Sequence, residues 1–246
     1  MWDLYTDLIK PHDPKTKPKE TVKWYMSALA KSLNDNEKSP LYGLIRFDSS
    51  EYERQTKCHY TLEGFGQELS AGRKSMLDKV RLRLELDKNY KDNKAAYEHA
   101  NEILEKLLIA FFNCIKKYSP NDFSEDKIKN RTLFRDNYGS YALINVFRHK
   151  LNDCFENPEQ KGIVLYQNID SCEKLFEPEI QVLCDWVESL DLDKKESIKS
   201  GGKARSKKLL TRFIQVIRAK FKDFAPEYEI LDEPEIDSFL KRLQQE

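Results

Sequence analysis

Apolar residues recur at helical spacing along most of the chain, and the polar positions between them mark the outward faces of helices. The clearest case is residues 93–118, where Ile103, Leu107 and Phe111 share one wide apolar face. Residues 162–167 are a short apolar run that suits either a strand or the start of a helix. The spacing also predicts helices over residues 2–9, 20–33, 126–136, 140–155, 177–190, 210–224 and 236–243.

Residues 41–87 are the least helical part of the pattern. Short apolar runs at 41–47 and 57–62 favour strands. Residues 80–86 alternate strictly, with apolar side chains at 80, 82, 84 and 86 and charged ones between, which is typical of a half-buried strand. A helix is the rival interpretation there, because Leu, Arg and Glu are good helix formers. The predicted fold class is mainly α (α+β), a helical core with a small antiparallel sheet near residues 41–87.

The composition is that of a folded chain. Of 246 residues, 39% are hydrophobic and 34% charged, and the few glycines favour helices over a turn-rich β fold. We expect a mixed helix and strand part over 1–92 and a helical part over 93–246, joined as one continuous globular unit.

The longest apolar run, 107–112, is too short to span a bilayer. Five widely spaced cysteines without a Cys-x-x-Cys pair predict free thiols in the cytoplasm.

The formal net charge is zero, but the charges are segregated along the chain. Residues 1–150 carry 27 basic and 22 acidic side chains, and residues 151–193 carry 2 and 11. Residues 194–222 then carry 11 basic side chains against one acidic, whereas residues 223–246 carry 2 against 8. A basic segment therefore lies between two acidic ones, which is more informative than the neutral total.

The basic segment, residues 194–222, combines a Gly201-Gly202 loop signal with an amphipathic helix. A basic helix face beside such a loop suits nucleic-acid phosphates, and binding of this kind is salt-dependent and sequence-independent. Two other interpretations stay open: the basic face is simply solvated, or it docks on the flanking acidic segments. The segment lacks the spacing of a nucleotide-binding P-loop. The predicted nucleic-acid-binding residues are Lys199, Lys203, Arg205, Lys207, Lys208 and Arg212.

Arg54 and His59 are separated by four residues, Gln-Thr-Lys-Cys. This spacing resembles the Arg-x(4–6)-His signature of HEPN ribonucleases, all-helical domains that often act in toxin–antitoxin and phage-defence systems. The resemblance covers six residues. It implies metal-independent RNA cleavage across a dimer, in which Arg54 stabilises the phosphate and His59 is the acid/base.

No Cys/His array has the spacing of a zinc site, no serine lies in a Gly-x-Ser-x-Gly elbow, and no cofactor is predicted. The favoured interpretation is a non-catalytic scaffold or adaptor subunit of a bacterial or phage-derived multi-protein system. It would bind nucleic acid or an acidic protein partner through residues 194–222, within a hetero-complex and without a membrane. The alternative is an HEPN-like ribonuclease or toxin that uses Arg54 and His59.

Overall fold

The structure is a computed structural model that describes residues 18–46, 60–61, 65–66, 69, 75–90, 92–120, 133–134, 137–199, 205–228 and 234–243. Within these residues the chain is mostly helical. In chain order the elements are α1 (Pro18–Asp35), β1 (Ile45–Arg46), β2 (Tyr60–Thr61), α2 (Met76–Arg83), α3 (Leu86–Asn89), α4 (Asn93–Tyr118), α5 (Asn137–Glu156), α6 (Pro158–Tyr166), α7 (Ile169–Ser189), α8 (Leu192–Lys199), α9 (Arg205–Arg218) and α10 (Pro234–Leu243).

Two long helices, α4 and α7, form the centre of the molecule and run parallel to each other. Later residues of α4 contact later residues of α7, as parallel helices require. Asn113 Nδ2 donates to Glu173 Oε1 at 2.8 Å, and one turn later Tyr118 Oη donates to Glu177 Oε1 at 2.6 Å. Helices α1, α2 and α3 pack on α4, whereas α9 packs on α5 and α7.

Three phenylalanines join the central helices. Phe111 of α4 lies 5.2 Å from Phe147 of α5 and 5.5 Å from Phe176 of α7, measured between ring centroids. All three rings are buried, and burying a side chain of this size stabilises the fold by roughly 1.5–3 kcal/mol. The buried apolar residues form one continuous core from α1 to α10.

The long predicted helices are confirmed, and α4 has the predicted ends. α7 begins eight residues earlier than predicted, because Asn168 Oδ1 accepts a hydrogen bond from Ser171 N at 3.0 Å and caps the helix start. Pro178 therefore lies inside α7 rather than in its first turn. Asn157 caps α6 in the same way, so the apolar run at 162–167 is helical as far as Tyr166. The helix predicted over 2–9 lies outside the described residues.

The predicted antiparallel sheet is wrong within the described residues. β1 and β2 are two residues each and pair in parallel, Ile45 with Tyr60. Residues 80–86 are not a strand but span the end of α2, a turn and the start of α3. Ser75 caps α2 by accepting from Asp78 N at 3.0 Å, and Leu82, which a strand would have buried, is 39% exposed. Apolar packing at helical spacing, from Met76 onwards, therefore outweighs the local alternation.

The helix predicted to continue to Phe224 ends at Arg218. Residues 219–228 form consecutive turns, with Ala225 in the left-handed region at φ 45° and Phe224 buried. Most of the predicted helix at 126–136 lies outside the described residues; Leu133 and Phe134, which are described, lie in a turn and are buried.

Candidate nucleic-acid interface

α8 holds the first part of the basic segment. Asp191 Oδ1 accepts from Lys194 N at 2.8 Å, and Lys194 Nζ lies 3.2 Å from Asp191 Oδ2. These contacts lower the pKa of Asp191, the backbone hydrogen bond being the larger cause. Ile198 is buried and anchors the last turn of α8 in the core. The basic segment thus begins on a helix, which the sequence pattern did not predict.

α9 buries one complete face. Leu210, Phe213, Ile214 and Ile217 are each at most 1% exposed, as their helical spacing predicted. Phe213 makes an edge-on contact with Trp186 of α7, with ring centroids 6.2 Å apart. This packing fixes the rotation of α9 and leaves Lys207 and Lys208 exposed on its first turn.

Arg212, one of the predicted nucleic-acid-binding residues, is buried rather than exposed on the basic helix face. The residue is 9% exposed, and its Nη1 donates to the Ile198 carbonyl at 3.4 Å. The carbonyls in the last turn of a helix lack partners within the helix, so a cation that reaches them is stabilising. Arg212 therefore ties the end of α8 to α9 and is not presented to solvent.

The first turn of α9 contains Arg205, Lys207 and Lys208 and no acidic residue. A helix N-terminus carries a partial positive charge, so cations there are unfavourable for the isolated fold and an anion is favourable. Lys199 is the last residue of α8, so the two helix ends that bound residues 200–204 both carry predicted site residues. Lys203 and the side chains of Lys199 and Arg205 lie outside the described residues.

The C-terminal end of α9 makes contacts that stabilise the fold. Arg218 Nη1 donates to the Tyr228 carbonyl at 2.8 Å and holds the turns over residues 219–228 against the end of the helix. Lys220 and Lys222 are exposed beyond it. Among the described side chains of this part of the segment, Arg212 and Arg218 make internal contacts, whereas four lysines are exposed: Lys207, Lys208, Lys220 and Lys222.

A second polar cluster, which sequence reasoning missed, surrounds His149 of α5. Nδ1 of His149 lies 3.3 Å from Glu227 Oε1, and Nε2 lies 3.4 Å from Tyr228 Oη. Burial lowers the pKa of His149, Arg148 and Lys79 lower it further, and Glu227 opposes them. The imidazole is therefore neutral at neutral pH. These residues come from three separate parts of the chain, so no local sequence motif predicts the cluster.

Arg54 and His59 lie outside the described residues, so their roles stay predictions. Within the described residues no group of three or more His, Cys, Asp or Glu side chains is placed to hold a metal ion. In the same part of the chain, no helix combines the length and the apolar character needed to cross a bilayer.

Comparison with models of known families, with curated proteins and with solved structures finds no match for this chain.

Proposed function

We propose that this protein is a non-catalytic binding subunit that holds nucleic acid through the first turn of α9 and the adjoining residues 199–204. It acts in the cytoplasm as a scaffold or adaptor of a bacterial or phage-derived multi-protein system. The phosphates of the bound strand lie at the helix N-terminus, where Arg205, Lys207 and Lys208 supply positive charge. Binding of this kind depends on salt and hardly on sequence.

The observation that carries the proposal is the charge of this first turn. Basic side chains at a helix N-terminus oppose the helix dipole, and no acidic residue in the turn compensates them. The fold has no internal use for Lys207, which is exposed and makes no ion pair within the described residues. A phosphate bound at this position interacts favourably with both the positive end of the helix dipole and the basic side chains.

The buried contacts of the segment support a positioning role for Arg212. Its bond to the Ile198 carbonyl holds the end of α8 near α9, and the buried face of α9 fixes the direction of its first turn. Together these contacts set the spacing of the two helix ends that flank residues 200–204.

The test combines four substitutions, Lys203→Ala, Arg205→Ala, Lys207→Ala and Lys208→Ala, with binding to labelled single-stranded DNA, RNA and duplex DNA at several salt concentrations. We expect weaker binding and a flatter dependence of log affinity on log salt. For a single strand the slope falls by up to about 3, because each lost phosphate contact contributes about 0.7.

A matched control removes the same number of cations elsewhere. Four exposed lysines on other elements, changed together to alanine, should leave affinity and salt slope close to those of the wild type. They are Lys38, Lys116, Lys174 and Lys241. Equal losses in both variants would show binding driven by overall charge and would contradict the proposed site. Absence of binding to every probe would reject nucleic acid and favour an acidic protein partner.

The ribonuclease alternative is tested in the same reactions. If Arg54 and His59 form an HEPN-like site, the RNA probe is cleaved without added metal and His59→Ala prevents the cleavage. Intact RNA at saturating protein counts against that alternative.

A further inference from the structure

Residues 219–228 are a run of turns that follows α9, and side chains hold this run against the core. Within the described residues, its backbone hydrogen bonds reach back at most four residues. Such local bonds shape the turns but do not attach them to another helix. Attachment comes from the buried ring of Phe224, from Arg218, which donates to the Tyr228 carbonyl, and from His149 of α5.

His149 contacts three residues of this run. Its Nδ1 lies 3.3 Å from Glu227 Oε1, and its Nε2 lies 3.4 Å from Tyr228 Oη. The ring centroids of His149 and Phe224 are 6.3 Å apart, with an angle of 65° between the ring planes. The His149 side chain is 20% exposed, so these contacts are made largely out of water. A single imidazole therefore links α5 to a carboxylate, a hydroxyl and an aromatic ring of the run.

Both polar contacts suit a neutral imidazole in one tautomer. With its proton on Nδ1, the ring of His149 donates to the Glu227 carboxylate and accepts from the Tyr228 hydroxyl at Nε2. Burial raises the pKa of Tyr228, so the hydroxyl keeps the proton that it donates. A second proton, on Nε2, removes this acceptor and places a full charge on a largely buried ring, which is unfavourable. Protonation therefore weakens the contacts that close the turns on α5.

The charges around His149 also favour its neutral form. Burial lowers its pKa most, and Arg148 of α5 and Lys79 of α2 lower it further. Glu227 opposes them, but its side chain is 58% exposed, so water screens its attraction for a protonated ring. When the turns open, the ring is hydrated and its pKa returns towards the ordinary value of 6.5. A proton on His149 is therefore bound more tightly in the opened form than in the closed one.

We propose that His149 is a pH-sensitive latch, which holds residues 219–228 on α5 while it is neutral and releases them when it is protonated. Release withdraws Phe224 from the core and frees the turns beyond the end of α9, whereas the central helices stay packed. The opened form is a minority, and each pH unit below about 6.5 raises its share by up to about tenfold, until the folded pKa of His149 is reached. The latch does not rest on the proposed function, since it lies at the opposite end of α9 from the first turn, about 20 Å along the helix.

Hydrogen exchange followed by mass spectrometry tests the latch on the whole chain. The protection of peptides that cover residues 219–228 is measured at about pH 7.5 and about pH 5.5 and corrected for the pH dependence of intrinsic exchange. In the wild type we expect this protection to fall severalfold, up to about tenfold, in acid, because the opened form gains the proton. At both pH values the run should exchange faster than α4, and low urea should hardly change its exchange, since local opening exposes little surface.

Three variants assign the pH effect. His149→Gln should lose most of the difference in protection between the two pH values. Because the comparison is between two pH values of one variant, a general loss of stability does not imitate this result. Glu227→Gln keeps an acceptor oxygen but removes the charge that favours protonation of the closed form, so its difference should exceed that of the wild type. His99→Gln, which changes a histidine of α4 with a 35% exposed side chain, should behave like the wild type.

Several results would overturn the proposal. One is wild-type protection of residues 219–228 that does not fall in acid, and another is an equal fall in the wild type and in His149→Gln. A third is exchange of the run with the same protection and the same urea dependence as α4, which would mean that only global unfolding exposes it. A difference in Glu227→Gln no larger than that of the wild type would also overturn it.

Discussion

Lys150 and Glu179 form the most deeply buried ion pair of the described residues, joining α5 to α7. Nζ lies 2.6 Å from Oε1, and the side chains are 13% and 7% exposed. Glu179 Oε2 is buried without a hydrogen-bond partner. The carboxylate therefore depends on Lys150 for most of its compensation.

Lys150→Met should lower the free energy of unfolding by about 3–5 kcal/mol, because it leaves the Glu179 charge buried and unpaired. Adding Glu179→Leu should recover most of this loss. Urea denaturation of the two single variants and the double variant measures the coupling. Additive losses in the double variant would contradict the account.

His149 gives the fold a dependence on pH. Its folded pKa lies below the ordinary value of 6.5, so the unfolded chain takes up the proton first as the pH falls. Its contribution to stability is present above the unfolded pKa and is lost as the pH falls through the folded one. Between about pH 7 and about pH 5, stability should therefore fall less steeply in His149→Gln than in the wild type.

Asp153 acts with the opposite sign and is the control for this measurement. Partial burial of its carboxylate raises its pKa, nearby acids add to the effect, and Lys150 opposes it. Asp153→Asn should therefore steepen the loss of stability as the pH falls towards the ordinary Asp pKa of about 4. If His149→Gln left the dependence of stability on pH unchanged, the imidazole would not contribute to it.

At the residue scale, the sequence predicted only those properties of the candidate site that depend on neighbouring residues of one helix. Clustered charges predicted that Lys207 and Lys208 lie on an exposed basic face, and both are exposed on one helical turn. Arg212 shares that charge pattern, but it is buried because the end of α8 packs near α9. The spacing of residues within α9 does not predict this contact. The cluster around His149 joins residues 79 positions apart in the chain, so only the tertiary structure brings them together.

At the scale of elements, two helical glycines should respond in opposite ways to alanine. A Cβ at Gly139 in α5 would lie 2.3 Å from the Leu133 carbonyl oxygen, whereas one at Gly162 in α6 would have no atom within 4 Å. Gly139→Ala should destabilise the protein, because backbone must move to admit the methyl group. Gly162→Ala should stabilise it by about 0.4–1 kcal/mol. Denaturant midpoints of the pair test this, and equal effects would contradict the close approach at Gly139.

Helices with long periodic faces, such as α4 and α9, were predictable because each repeats its apolar spacing over several turns. α2 was mistaken for a strand, since over seven residues alternation and helical spacing both fit. Its cap at Ser75 and the buried Met76 and Leu77 lie just outside that window. The end of α9 was missed because no glycine or proline lies between Arg218, where the helix ends, and Pro226, so the local sequence carries no stop signal at that point.

At the scale of the whole molecule, cysteine reactivity reports on opening of the core. Cys114, Cys154, Cys172 and Cys184 are all free thiols and all buried. Burial raises the pKa values of Cys114 and Cys154 to about 12 each, so hardly any reactive thiolate is present. In a Cys58→Ser variant, Ellman's reagent should modify the native protein very slowly and release four equivalents in denaturant. Fast labelling of the native form would show that the core opens locally.

The parallel arrangement of α4 and α7 also affects how the chain is made. Parallel neighbours cannot be joined by a tight turn, so some 50 residues separate the end of α4 from the start of α7. During synthesis the apolar face of α4 leaves the ribosome well before its main partner exists. Domains complete their cores only when all contributing segments are available. Nascent chains and truncated products that stop before about residue 190 therefore carry an uncovered apolar helix, and holding chaperones and proteases should recognise them preferentially.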